Sequence, residues 1–235
     1  MMPAPLTPAE CKAILLLDFL SFIELSFYEL NPDSILLLAD YIEVIAAKLE
    51  ACRRGKCKRL IINLPPRYLK SHCASVAFIA WLLGHNPSLQ IICASYGQDL
   101  AEKLARDTRS IMTSAWYKEI FATRLHPSKQ AVNDFMTTRN GGRMATSVGG
   151  VLTGRGGDFL IIDDPIKPDD ALSETQRKNA NTWFDHTLRS RLNNKADGCI
   201  IIVMQRLHQD DLVGHVLEEG GWEVLSFPAI AEQDE

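Results

Sequence analysis

The sequence predicts a three-layer α/β domain built around a mostly parallel sheet. Runs such as Leu60-Ile61-Ile62 and Leu160-Ile161-Ile162 are apolar at consecutive positions, the pattern of strands covered on both faces. These short runs alternate with longer stretches of helical periodicity, as βα units do. The 235 residues are 46% hydrophobic and 23% charged, which excludes intrinsic disorder and suits one large domain or two small ones.

Before residue 60 the pattern is helical. Two runs, 8–29 and 34–51, flank Asn31-Pro32-Asp33, where proline and the Asx residues favour a stop and a restart. The stretch Ala13–Leu30 is apolar-rich but carries Asp18, Glu24 and Glu29, so it reads as a packed helix, and Ala74–Gly84 is too short to span a bilayer. The N-terminus lacks the basic segment of a secretory signal. Residues 1–58 are therefore expected to form a helical segment packed on a core over 59–235.

In that core the predicted strands are Arg59–Leu64, Gln90–Tyr96, Arg143–Ser147, Phe159–Ile162, Cys199–Met204 and Glu223–Phe227. Helices are predicted over 71–83, 98–121, 171–193 and 209–219. In the third of these, Ala180, Trp183, Phe184, Thr187, Leu188 and Leu192 share one face.

Lys plus Arg number 25 against 29 for Asp plus Glu, a net charge of −4, so any contact with nucleic acid must be local. Arg53-Arg54-Gly55-Lys56-Cys57-Lys58-Arg59 is the densest basic run. It suits a solvated turn, or a contact with DNA phosphates or an acidic partner. The six cysteines form no CxxC pair and several sit in apolar runs, which fits buried thiols in a reducing compartment. His208 and His215 read as surface or packing histidines rather than metal ligands.

In doubly wound sheets ligands bind beyond the carboxyl ends of the strands. After the first strand comes Pro65-Pro66-Arg67-Tyr68-Leu69-Lys70-Ser71, leading into an apolar helix. A helix start offers outward N–H groups to anions, Lys70 adds a point charge, and the Ser71 hydroxyl could reach Mg²⁺. The usual GxxxxGK[ST] glycines would fall at 64 and 69, and both are Leu, so a plain βα turn capped by Ser71 is the competing reading. Asp163 and Asp164 end a fully apolar strand, where burial of two adjacent acids costs several kcal/mol unless a cation joins them. A Mg²⁺–nucleotide complex supplies that charge; an exposed Asp-Asp-Pro turn is the alternative. The strand Cys199–Met204 ends in Gln205, placed to sense a γ-phosphate or merely to precede a cap. Gly149–Gly157 holds five glycines in nine residues and delivers Arg155.

Taken together, PPRYLKS (65–71), ATSVGGVLTGRGGD (145–158), LIIDDPIKPDDALSE (160–174) and VMQRLHQDDLVGH (203–215) resemble the large subunit of tailed-phage terminases, in the right order over most of residues 20–230. The resemblance implies a P-loop ATPase of the additional-strand class that uses ATP and Mg²⁺ to drive double-stranded DNA into a procapsid. It makes Pro66, Arg67, Tyr68, Leu69, Lys70, Ser71 and His72 the Walker A region, and Ser71 and Asp163 the metal ligands. Asp164 falls at the catalytic carboxylate, where the family often has Glu. Gln205 falls at the coupling motif. Arg67 in cis, or Arg155 in trans with Arg143 as competitor, is implied as the catalytic arginine.

Implied partners are DNA, a portal protein, a small terminase subunit and further copies of the chain in a ring, with the isolated chain a monomer. The implied location is the host bacterial cytoplasm, with no membrane association. Large terminases continue into a nuclease; this chain, ending at Glu235, is expected to lack it, as an excised domain or a shortened product, and to leave DNA uncut. Two other readings are a helicase-like DNA translocase and a degenerate nucleotide-binding or scaffold module without turnover, the latter favoured by the two missing glycines.

Overall fold

The computed structural model describes residues 6–228. Helix α1 (Pro8–Leu17) opens on a capping box in which Thr7 and Glu10 satisfy each other's backbone. The unbroken helix expected over 8–29 is not formed. Asp18 turns extended (φ −114°, ψ 109°), ends α1, and accepts the Ser21 N–H at 2.9 Å to cap α2 (Phe19–Leu30). Residues 34–39 carry no helix, and α3 (Asp40–Arg53) begins later than the apolar run suggested.

The strands are β1 (Arg59–Asn63), β2 (Gln90–Ser95), β3 (Leu125–Gln130), β4 (Asp134–Thr137), β5 (Gly142–Ser147), β6 (Phe159–Asp163), β7 (Cys199–Met204) and β8 (Glu223–Ser226). They form one sheet in the order β3-β4-β5-β2-β6-β7-β1-β8. From β5 to β8 all neighbours are parallel; β4 runs antiparallel to β5 and β3 to β4. Strand β7 stands between β1 and β6. The β3–β4 pair was not foreseen from the sequence.

A π-helical turn, His72–Ala77, continues into α4 (Phe78–His85). The helix expected over 98–121 is two, α5 (Gln98–Thr113) and α6 (Ala115–Ile120), because Ser114 leaves helical geometry and caps the second. Helix α7 (Glu174–Trp183) runs on through a π-helical turn (Phe184–Leu188), and α8 (Leu212–Glu219) follows β7.

Alternation along each strand divides the core into two layers. Leu60, Ile62 and Ile161 face Phe22, Ile45, Phe78 and Trp81 on the α1–α6 side. Ile61, Leu160, Ile162 and Ile202 face Trp183, Phe184, Leu188 and Val213 on the other. Each such side chain stabilises the fold by about 1.5–3 kcal/mol. The N-terminal helices belong to the first layer: the Phe19 and Trp81 rings lie 4.8 Å apart. The basic run 53–59 is a folded turn, with Arg53 stacked over Trp81, Lys58 paired to Asp197 at 3.0 Å and Arg59 donating to Gly198 O.

Candidate functional site

At the carboxyl end of β1 the chain turns through residues 64–69 and enters the π-helical turn that leads into α4. Two residues of the turn, Arg67 (φ 68°) and Leu69 (φ 58°), lie in the left-handed region that side chains rarely adopt. Leu69 thus takes, without being glycine, the conformation that a glycine before the lysine supplies elsewhere. The result is to place Lys70 inward, 6% exposed, beside Ser71.

The tip of β6 meets them. Ser71 Oγ donates to Asp163 Oδ1 at 2.9 Å, and Lys70 Nζ lies 3.1 Å from Asp164 Oδ2. Asp163 is 1% exposed and its Oδ2 is buried with no hydrogen-bond partner. Burial pushes its carboxyl up to about 6 and the Asp164 charge adds to this; the Ser75 and Ser71 hydroxyls and Lys70 pull the other way. A buried carboxylate with one orphaned oxygen, next to a hydroxyl, is a hard-oxygen donor set suited to Mg²⁺.

Asp164 itself has φ 47°. Four contacts hold it there: its N–H donates to Val203 O, its carbonyl accepts from Tyr96 N–H, and its carboxylate takes Lys70 and the Gln205 N–H at 3.3 Å. A strained residue fixed this thoroughly, with its carboxylate still partly exposed, is the arrangement found at reactive positions.

The remaining predicted residues separate into near and far. Pro66, Arg67 and Tyr68 are exposed on the rim of the loop. His72 follows Ser71, but its imidazole turns into α2, with Nε2 3.1 Å from Ser26 Oγ and 3.3 Å from Ile23 O, so the side chain faces away from the loop. Gln205 lies beside Asp164 through its backbone. Arg155 pairs with Asp134 and shares a cavity of about 120 Å³ with Gln90 and Gly142, the first residues of β2 and β5. That is the end of the sheet opposite Asp163, so in its own chain Arg155 is remote from Lys70. Arg143 is 1% exposed, with Nε and Nη1 lacking partners and Nη2 donating to Ser75 O at 3.5 Å beneath the π-helical turn.

Sequence reasoning missed Asp211. Buried, it caps α8 through Gly214 N–H, and also accepts Leu207 N–H, His208 N–H and Arg206 Nε, which fixes the whole turn after Gln205. An Asp just before an amphipathic run was a readable cap signal. Further away, donor atoms of Asp185, His215 and Glu219 lie within 4.8 Å of one another; His215 bonds Asp185 and Arg189 pairs with Glu219, which ties the helical turns that follow α7 to α8.

No family model and no curated protein matches the chain. Among solved structures it is similar to the HK97 bacteriophage large terminase, with a TM-score of 0.52 and 14% identity, over 86% of this chain and 42% of that one. It is equally similar to Saccharomyces cerevisiae Dbp5 in an ADP-bound complex, with a TM-score of 0.52 and 11% identity over 88% and 52% of the two chains. The Thermus phage P74-26 large terminase ATPase domain overlaps more loosely, with a TM-score of 0.41 and 18% identity over 66% and 62%. The chain thus spans about half the length or less of the first two structures. Among the described residues no helix is long and apolar enough to cross a membrane. In fold the chain is a mostly parallel α/β domain of the kind seen in the HK97 large terminase.

Proposed function

We propose that the chain is an ATP-hydrolysing motor domain of a viral DNA-packaging terminase. The observation that carries this is the meeting of Lys70 and Ser71, at the start of one helix, with Asp163 and Asp164 at the tip of β6. A phosphate-binding ammonium, a metal-binding pair and a second acid are what phosphoryl transfer requires.

Lys70 exchanges its bond to Asp164 for the triphosphate. Ser71 Oγ and Asp163 would hold Mg²⁺, which when bound would neutralise charge on the phosphate oxygens. The exchange leaves Asp164 with a carboxylate oxygen to orient water and accept its proton. Arg67 in cis, or Arg155 of a neighbouring copy, supplies the stabilising cation; Arg155 must first leave Asp134. Gln205 N–H on Asp164 connects the acid to the turn that Asp211 braces and so to α8, a route by which hydrolysis moves a DNA-gripping surface.

The four terminase-like segments, in order, favour packaging of double-stranded DNA with portal, small subunit and a ring of copies as partners, in the host cytoplasm. The equal similarity to Dbp5 favours a second reading, a helicase-like translocase. Phosphate release from MgATP by the purified chain tests both. The terminase reading expects slow basal turnover stimulated by double-stranded DNA; stimulation by single strands alone favours the helicase-like reading. Bound ATP with no release under any condition contradicts both and leaves a non-catalytic binding module.

A further inference from the structure

Four buried polar atoms without a hydrogen-bond partner gather behind the Lys70 loop: Asp163 Oδ2, Ser75 Oγ, and Nε and Nη1 of Arg143. The three side chains are 1%, 0% and 1% exposed. Orphaned groups at this depth are uncommon in folded proteins, and each needs a reason. Asp163 ends β6, Arg143 lies in β5, and Ser75 lies in the π-helical turn that starts directly after Ser71. Both strand residues point to the α1–α6 side of the sheet, as Ile161 and Ala145 do two positions away from them.

Ser75 links the other two. Its carbonyl accepts from Arg143 Nη2 and, on α5, from Thr108 Oγ1, both at 3.5 Å. Its hydroxyl lies near enough to Asp163 to hold that carboxyl down against the effect of burial, yet it closes no hydrogen bond there. A π turn is a rare piece of helix found mostly at functional positions. Arg143 and Thr108 grip this one from outside. Among the described residues Arg143 pairs with no carboxylate, so no ion pair explains why a guanidinium is buried here.

We infer that Arg143 and Ser75 are positioning residues for the metal-binding carboxylate: Arg143 anchors the π turn, and the anchored turn aims the Ser75 hydroxyl at Asp163 Oδ2. This rests on the nucleotide reading above. With the Ser71 hydroxyl given over to a metal ion, Asp163 would lose the hydrogen bond that now orients it. Ser75 Oγ is the hydroxyl left in place to donate to it. One oxygen of Asp163 would then serve the metal while the other is fixed from behind, and hydrogen bonds of this kind orient ligating carboxylates.

The test separates the metal from the rest of the nucleotide. ATP is titrated calorimetrically into the full chain twice, with excess Mg²⁺ and with EDTA. In wild type Mg²⁺ is expected to tighten ATP at least about tenfold. Ser75→Ala and Arg143→Met are each expected to weaken ATP about tenfold in magnesium and to leave metal-free ATP within about twofold. Ser75→Thr, which keeps the hydroxyl, and Arg143→Lys, which keeps a donor, are expected to recover most of the loss. Ser75→Ala removes one buried oxygen, so it reports even where circular dichroism shows that an Arg143 variant has not folded. For Ser75→Ala, equal losses with and without metal, or no loss in either, overturn the positioning roles and leave the phosphate site standing. A loss in Ser75→Ala that a folded Arg143→Met does not share overturns the anchoring by Arg143. Failure of wild type to bind ATP, or binding that Mg²⁺ does not change, overturns the nucleotide reading and the positioning roles with it.

Discussion

The Ser71 hydroxyl donates to Asp163 Oδ1 at 2.9 Å, across 92 residues of sequence. This bond joins the start of a helix to the end of a strand at the point where Asp163 has lost nearly all contact with solvent. Burial holds the Asp163 carboxyl at about 6, so at neutral pH the protein carries a buried negative charge at a cost. Asp163→Asn keeps an oxygen for Ser71 and removes the charge. It is expected to raise the melting temperature at pH 7.5 by several degrees, on the order of 2 kcal/mol, and to weaken magnesium-dependent ATP binding at least tenfold. A lower melting temperature would contradict the electrostatic strain.

Asp164 has a different assignment and a different signature. Asn tolerates the left-handed backbone that φ 47° demands, so Asp164→Asn is expected to fold normally. ATP affinity should stay within about threefold while turnover drops at least 100-fold, the usual contribution of a positioned general base. Turnover close to wild type would remove Asp164 from the chemistry.

Leu69 tests the loop through its backbone. At φ 58° a β-branched side chain is strained by about 1–2 kcal/mol more than glycine. Leu69→Val is therefore expected to lower both the melting temperature and ATP affinity, whereas Leu69→Gly retains affinity. Equal affinity for the two variants would show that the left-handed turn does not position Lys70.

Much of this was legible in the sequence, for physical reasons. Strands β1, β6 and β7 are buried on both faces, so each reads as an uninterrupted apolar run that ends where the chemistry begins. Strands β3 and β4 carried no such signal: one is largely exposed and contains Pro127, the other has four residues. The break at Asp18 was hidden because Leu15-Leu16-Leu17 and Phe19-Leu20 continue the apolar run on either side of it. At the site, Lys70, Ser71, Asp163 and Asp164 stood out by position after buried strands. The contact of Arg143 with Ser75 and the downward turn of His72 depend on packing between distant segments, which spacing along the chain does not encode.

His72 gives a pH prediction with an opposing partner. Burial against α2 lowers its pKa to about 4, so the folded protein refuses a proton that the unfolded chain takes up below about 6.5. Stability from this group is full above pH 6.5 and is lost as pH falls toward 4. Asp163 acts in the reverse sense: the folded state binds the extra proton, and stability falls as pH rises from about 4 to 6. Denaturant titrations across pH 4–7 are expected to show a steeper acid loss in Asp163→Asn and a shallower one in His72→Phe than in wild type. Identical slopes in all three would contradict the burial of both groups.

The central claim is that Lys70 lies where a triphosphate binds, and calorimetric titration of MgATP into wild type and Lys70→Ala tests it most directly. Removing a charge-assisted partner of the phosphates is expected to weaken binding by about tenfold or more while leaving the melting temperature within a few degrees. MgATP binding of equal strength in the two proteins would place the nucleotide elsewhere and contradict the assignment.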